Sequence, residues 1–251
     1  MIAVFAALES EVSACLTSLN ITKQAETGGY KIIEAEGAVV CQTGVGPRAK
    51  DAADAVLSVY QPGAALSVGI AGGLAKGMDV GQVVVCQRVD HESHRADGRE
   101  DSVESHPGLI EAALASARGL GLEVSTGTSI TVDEVAWGEA EKAAHHSWRA
   151  HDIVEMESYW IGEAAARLGI PFLTVRTVSD GPDDQIPQVD ARNEDGSLNT
   201  EALLAHIREH PESAELFKRL AEGSQVAHTN LAVVLAGLLP PLIQHFSGAA
   251  E

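Results

Sequence analysis

Short apolar runs rich in valine and isoleucine recur along the chain. They predict strands at Ile2–Leu8, Tyr30–Ala35, Ala38–Thr43, Ala65–Ile70, Gln82–Arg88, Ser125–Val132, Asp152–Met156 and Pro171–Val178. Helical periodicity lies between several of them. "RAKDAADAVLSVY" sets Ala49, Ala52, Ala53, Val56 and Leu57 on one stripe, "GLIEAALASARGL" repeats the pattern, and "ESYWIGEAAARLG" stops at Gly169. Alternating strands and helices predict an α/β fold: one domain over residues 1–251, with three αβα layers around a mixed, largely parallel sheet. No fixed-period repeat or low-complexity linker divides the chain. From about residue 200, "TEALLAHIREHPESAELFKRLAEGS" and "VAHTNLAVVLAGLLPPLIQHF" predict amphipathic helices, a C-terminal extension suited to closing the fold, meeting a neighbouring subunit or covering a ligand. The stretches 90–101 and 181–199 read as the least regular.

Composition narrows this picture. Aromatics are scarce and the apolar residues are mainly Ala, Val, Leu and Ile, which suits helices packed on a sheet. A formal net charge of -19 argues strongly against a nucleic-acid backbone as partner, because phosphates need a basic face. Cys15, Cys41 and Cys86 fit neither a disulfide framework nor a zinc spacing, and read as buried thiols in a reducing cytosol. "MIAVFAALESEV" lacks a basic leader and reads as a first strand, not a signal peptide. "LAVVLAGLLPPLI" falls short of the roughly 18 residues that span a bilayer and is interrupted by Pro240 and Pro241. A soluble cytoplasmic protein is expected. His91 and His94 lack a clear third ligand, so no metal is predicted, and His145 and His146 read as the surface of an exposed helix.

Chemistry concentrates where strands end. In an open α/β sheet, ligands gather at the carboxyl ends of the strands. Glycine turns "GVGP" (44–47) and "GIAGGL" (69–74) follow two strands and let backbone N–H groups approach a ligand or simply turn the chain. "IVEMES" drives an apolar strand into Glu155 and Glu157 around Met156, although an unpaired buried carboxylate costs several kcal/mol. An acid pair beside Met offers acceptors for vicinal hydroxyls and a soft face for a sugar; the alternative is a helix start whose dipole Glu157 complements. "LTVRTVSD" buries Arg176, which needs an anionic partner, and ends on Asp180. Partial shielding there would suit a proton donor, while Asp before Gly is also an ordinary turn-former. "AALESEV" likewise ends a strand on Glu11.

Taken in order, "AALESEV", "TGVGP", "VGIAGGL", "IVEMES" and "VRTVSD" resemble the nucleoside phosphorylase and nucleosidase superfamily across Met1 to about Asp184. That superfamily includes purine nucleoside and uridine phosphorylases and the nucleosidase acting on methylthioadenosine and S-adenosylhomocysteine. The resemblance implies cleavage of a ribose–base bond through an oxocarbenium-like sugar, with no cofactor and a small-molecule purine nucleoside as partner. It implies Asp180 as general acid, Glu11 as the acid activating water, and Arg176 beside it. Met156 and Glu157 would grip the ribose, with Glu155 either joining them or serving structure. Ile70, Ala71, Gly72, Val135, Ala136 and Ser179 complete the implied substrate contacts, and a homo-oligomer is expected.

Three departures qualify it. Phosphorylases of this family commonly place an Arg and a Ser around the fourth strand's glycine turn, where this chain has Ser67 and Ile70. Phosphate as co-substrate would then fall to Gly46 and Arg48 or to backbone amides, so hydrolysis is favoured over phosphorolysis. An aromatic expected against adenine is replaced by Val135, with Trp137 close enough to substitute. The segment after Asp180 is longer than in the compact nucleosidase. With its Asp195-Gly196 turn and His210-Pro211 break, it resembles the branch encoded with hopanoid biosynthesis, which is thought to release adenine from adenosylhopane. A non-catalytic nucleoside binder is the remaining alternative.

Overall fold

The computed structural model describes residues 1–98, 102–189, 193 and 199–247; the Asp195-Gly196 turn lies outside them. Among the described residues ten strands form one sheet: β1 (Ile2–Ala6), β2 (Ile21–Thr27), β3 (Tyr30–Ala35), β4 (Ala38–Gln42), β5 (Ala64–Gly73), β6 (Val83–His91), β7 (Val103–Glu104), β8 (Val124–Thr131), β9 (Ile153–Glu155) and β10 (Phe172–Asp180). β2 and β7 escaped the sequence reading. β2 is an edge strand carrying mostly exposed residues, and β7 pairs only two residues with β6.

The sheet is mixed. Parallel pairs β1–β4, β1–β5, β5–β10, β6–β8 and β8–β9 are matched by antiparallel pairs β2–β3, β3–β4, β5–β9, β6–β10 and β6–β7. The antiparallel share comes from the β2–β4 meander, from the short β7 on β6, and from a closure: β5, β10, β6, β8 and β9 pair in a ring, so the sheet curls back on itself. Curling gathers the carboxyl ends of β5, β8, β9 and β10 around one mouth.

β1 shows how the layers form. Ile2, Val4 and Ala6 join one core, and Ala3 and Phe5 join the other, as a period of two on a doubly covered strand requires. On the first face lie α1 (Glu9–Leu16), α4 (Pro107–Ala117) and α8 (Ala214–Ser247); on the second lie α2 (Arg48–Tyr60) and α6 (Ser158–Arg167). The short α3 (Ser93–Asp97), α5 (Glu139–Arg149) and α7 (Thr200–Glu209) complete the set.

α8 departs from expectation. It runs unbroken for 34 residues through Pro240 and Pro241. Both prolines sit on the exposed side, while Leu231, Leu235, Leu238, Leu239 and Leu242 are buried in the same core as β1. A proline removes one helical hydrogen bond; here the packed leucine stripe outweighs that loss. By length and composition Pro211–Ser247 is apolar enough to cross a membrane, at mean hydropathy 1.7, but the fold uses its apolar stripe against α1, α4, β5 and β10. All three cysteines are buried free thiols, and burial pushes Cys41 up to about 12.

Candidate active site

A cavity of about 220 Å³ opens at the mouth of the ring. Glu11, Ile70, Ala71, Gly72, Val135, Ala136, Glu155, Met156, Glu157, Ser179 and Asp180 all line it. These residues come from the start of α1, the end of β5, the segment after β8, the end of β9 with the turn behind it, and the end of β10. Gly46 and Arg48 do not line it. Gly46 is held beside it through its N–H, and Arg48 is exposed at the start of α2.

One end of the cavity is a buried charge cluster. Glu11 is 2% exposed: its Oε2 accepts the N–H groups of Ala7 and Leu8 at 2.9 Å each, and its Oε1 accepts that of Ile70 at 2.9 Å. As the third residue of α1 it reaches back to the chain entering the helix, half of a capping box. Glu157 Oε1 accepts the Gly46 N–H at 2.9 Å, and its Oε2 lies 3.5 Å from Arg176 Nη2.

Arg176, 1% exposed, finds its main partner in Glu155: Nη2 donates to Oε2 at 2.6 Å and also meets Ser67 Oγ at 3.0 Å and Ser158 Oγ at 2.9 Å. Glu155 further accepts the N–H of Ser158 at 2.7 Å and of Glu157 at 3.1 Å, and the Thr131 hydroxyl. Glu155 is therefore the anchor that fixes Arg176 and the start of α6. Both acids at the end of the strand line the cavity, but Glu155 is held closely by the guanidinium and by backbone N–H groups, whereas Glu157 meets Arg176 only at 3.5 Å.

Gly69 makes this crowding feasible: a Cβ there would collide with Arg176 Nη1 and Glu11 Oε1. Three carboxylates around one guanidinium leave a charge imbalance. Burial pushes the Glu157 carboxyl up to about 8; Arg176 opposes this, and Glu155 and Glu11 add to it. For Arg176 burial acts downward, but Glu155, Glu157 and Glu11 outweigh it and raise its affinity for its proton.

The other end centres on Asp180. Its Oδ1 accepts the Ser179 hydroxyl at 2.6 Å, and its Oδ2 meets Lys142 Nζ at 2.5 Å. Shielding alone was expected at Asp180; a buried ammonium stands there instead. Sequence reasoning missed Lys142, since α5 is polar on nearly every side and nothing in "GEAEKAAHH" marks this lysine as the one turned inward. Between the two ends the wall is aliphatic: Val132, Val135, Ala136, Val154, Ile186 and Leu220, the last from α8. Trp137, offered by the sequence as a replacement stacking ring, lines a neighbouring cavity of about 510 Å³ with His206, His210 and Leu216. His91 and His94 pack against Tyr159 and Trp160, and among the described residues no group of three or more His, Cys, Asp or Glu is placed to hold a metal ion.

Comparison with known proteins adds lineage to this geometry. The family described as the phosphorylase superfamily matches residues 1–210. A 5'-methylthioadenosine/S-adenosylhomocysteine nucleosidase of Exiguobacterium sp. is 24% identical over 231 residues, covering 85% of this chain and 99% of the relative. The nucleosidase of that name from Neisseria meningitidis, solved in complex with methylthio-immucillin-A, has a TM-score of 0.75 at 24% identity, covering 96% of this chain and 98% of that one. The one from Colwellia psychrerythraea, solved in complex with adenine, has a TM-score of 0.72 at 23% identity, covering 95% of each chain.

Proposed function

The chain belongs to the phosphorylase superfamily, and from that premise we propose that it cleaves the N-glycosidic bond of a purine nucleoside, with adenine as base, and delivers the sugar to water. One observation carries this reading: Glu11, Glu157 and Asp180, 169 positions apart at their extremes by their numbers, line a single 220 Å³ cavity with an aliphatic wall between them. A purine sits flat against Val135, Val154 and Ile186, and burial of its faces replaces the stacking that an aromatic would give.

Each group then has a task. The ribose diol donates to the Glu157 carboxylate and repays its desolvation, while Met156 covers the sugar face. Asp180 hands a proton to the five-membered ring of the base, so the electrons of the breaking C–N bond settle on a neutral leaving group. Glu11 has both oxygens anchored by backbone N–H groups, yet Oε1 carries one such bond and keeps a lone pair for a water molecule. That water attacks the cationic sugar carbon and loses its proton to the carboxylate.

Water is favoured over phosphate for an electrostatic reason. Four carboxyl groups, Glu11, Glu155, Glu157 and Asp180, line the cavity, and the two cations beside them, Arg176 and Lys142, are already paired with Glu155 and Asp180, so a dianion finds no unpaired cation there. The Gly46 N–H, a proposed phosphate donor, is already given to Glu157. The test is ultraviolet detection of free base from adenosine and from methylthioadenosine, with and without phosphate. Equal rates with free sugar as product are expected. Release that depends on phosphate would make the enzyme a phosphorylase, and no release from any purine nucleoside would leave a binding protein.

A further inference from the structure

We propose that Lys142 is the positioning residue for the proton donor: it fixes Asp180 at the base end of the cavity and supplies the proton that Asp180 passes on. This rests on the glycosidic-cleavage reading above.

Lys142 is 1% exposed on a helix whose other side chains mostly meet solvent. Burying an ammonium costs several kcal/mol unless its hydrogens are all placed, and here they are. Nζ donates to Asp180 Oδ2 at 2.5 Å, to the Gly181 carbonyl at 2.6 Å and to the Asp184 carbonyl at 3.1 Å. The turn it grips is closed from within by the Gly181 N–H on Asp184 Oδ2 at 2.8 Å. So one cation ties α5 to the end of β10 and to the turn beyond it.

The proton count gives this contact a second meaning. The Ser179 hydroxyl lies 2.6 Å from Asp180 Oδ1 and 3.2 Å from the Ala71 carbonyl; with its one hydrogen on the nearer oxygen, and Lys142 donating to Oδ2, both carboxylate oxygens receive hydrogens in the resting site. The proton a departing purine needs lies on Lys142. As the C–N bond lengthens, the electrons arriving on the ring raise its affinity for a proton until it exceeds that of the Lys142 amine. An Nζ–H bond then breaks as an Oδ2–H bond forms, and that O–H bond breaks as the ring N–H forms. Lys142 is left a neutral amine, still donating to the two carbonyls. Glu11 holds the proton taken from the attacking water. Exchange with solvent after product release returns both groups to their starting state, so the net reaction remains nucleoside plus water to sugar plus base.

The test compares two leaving groups in the full-length enzyme. A purine nucleoside needs its base protonated; the same nucleoside methylated on N7 carries a cationic base that departs without a proton. Lys142→Met is expected to lower kcat on the unmodified nucleoside about 10²–10³-fold with little change in KM, and to leave the rate on the N7-methylated one within about threefold of the parent enzyme. Lys142→Gln, which can still donate hydrogen bonds but has no proton to give, is expected to behave in the same way and covers the case in which the Met variant does not fold. Equal losses on both nucleosides, or near-full activity of Lys142→Gln on the unmodified one, would overturn the proposal. Failure of the parent enzyme to cleave either nucleoside would overturn the cleavage reading itself, and this inference with it.

Discussion

The two ends of the cavity solve the same problem, charge in a buried place, with different arithmetic. At the sugar end one guanidinium serves Glu155, Glu157 and Glu11, and one of the three, Glu157, is driven toward its neutral form. At the base end one ammonium faces one carboxylate, and the remaining hydrogens go to backbone carbonyls. The Glu157 end is thus short of positive charge, and on the proposed function a ribose diol supplies the missing hydrogens; at the Asp180 end every hydrogen of the ammonium already has an acceptor.

This contrast breaks first at Arg176. Arg176→Met would strand Glu155 and Glu157 without a cation, and removal of one partner from a buried pair costs about 3–5 kcal/mol. Chemical denaturation should show that loss, and a variant as stable as the parent would mean the cluster is held by its backbone donors alone. Asp180→Asn comes next. Its amide oxygen still accepts from Lys142, so stability should fall by less than in Arg176→Met, while turnover drops roughly 10²–10⁴-fold. Single-turnover base release and nucleoside binding measured together check this, with binding retained. Near-full activity would remove Asp180 as the acid.

A third prediction concerns pH. A carboxyl whose folded value is raised contributes stability that is present below its unfolded value near 4.5 and lost as pH rises through about 8. Ligand affinity runs the other way, because the diol donates to the ionised form. Calorimetry with a non-cleavable nucleoside should show affinity weakening as pH falls below about 8, at most about tenfold per unit. Glu157→Gln should flatten that slope, and an equal slope in the variant would assign the titration elsewhere. The smallest effect is expected at Arg48. Being exposed and outside the cavity lining, Arg48→Ala should change kcat/KM by no more than about twofold with or without phosphate. A large loss confined to phosphate-containing buffer would restore phosphorolysis.

Much of this was legible in the chain itself. The short apolar runs of β1, β4 and β10 and the stripe of α2 pointed to a doubly covered sheet, because a strand buried on both faces needs apolar residues at successive positions. Strand-end position marked Glu11, Glu157 and Asp180 as side chains of interest, and a charge inside an apolar run marked Arg176. Other features depend on partners distant in sequence and were not legible. Continuity of α8 through Pro240 and Pro241 follows from leucines packed on β1 and β5 neighbours, and the ring closure follows from pairing of β5 with both β9 and β10. Which of the two acids in "VEMES" holds Arg176, and which lysine stands against Asp180, is decided by Coulomb and hydrogen-bond contacts between segments 21 and 38 residues apart. Local propensity carries no information about such contacts; only the folded chain places both partners within reach.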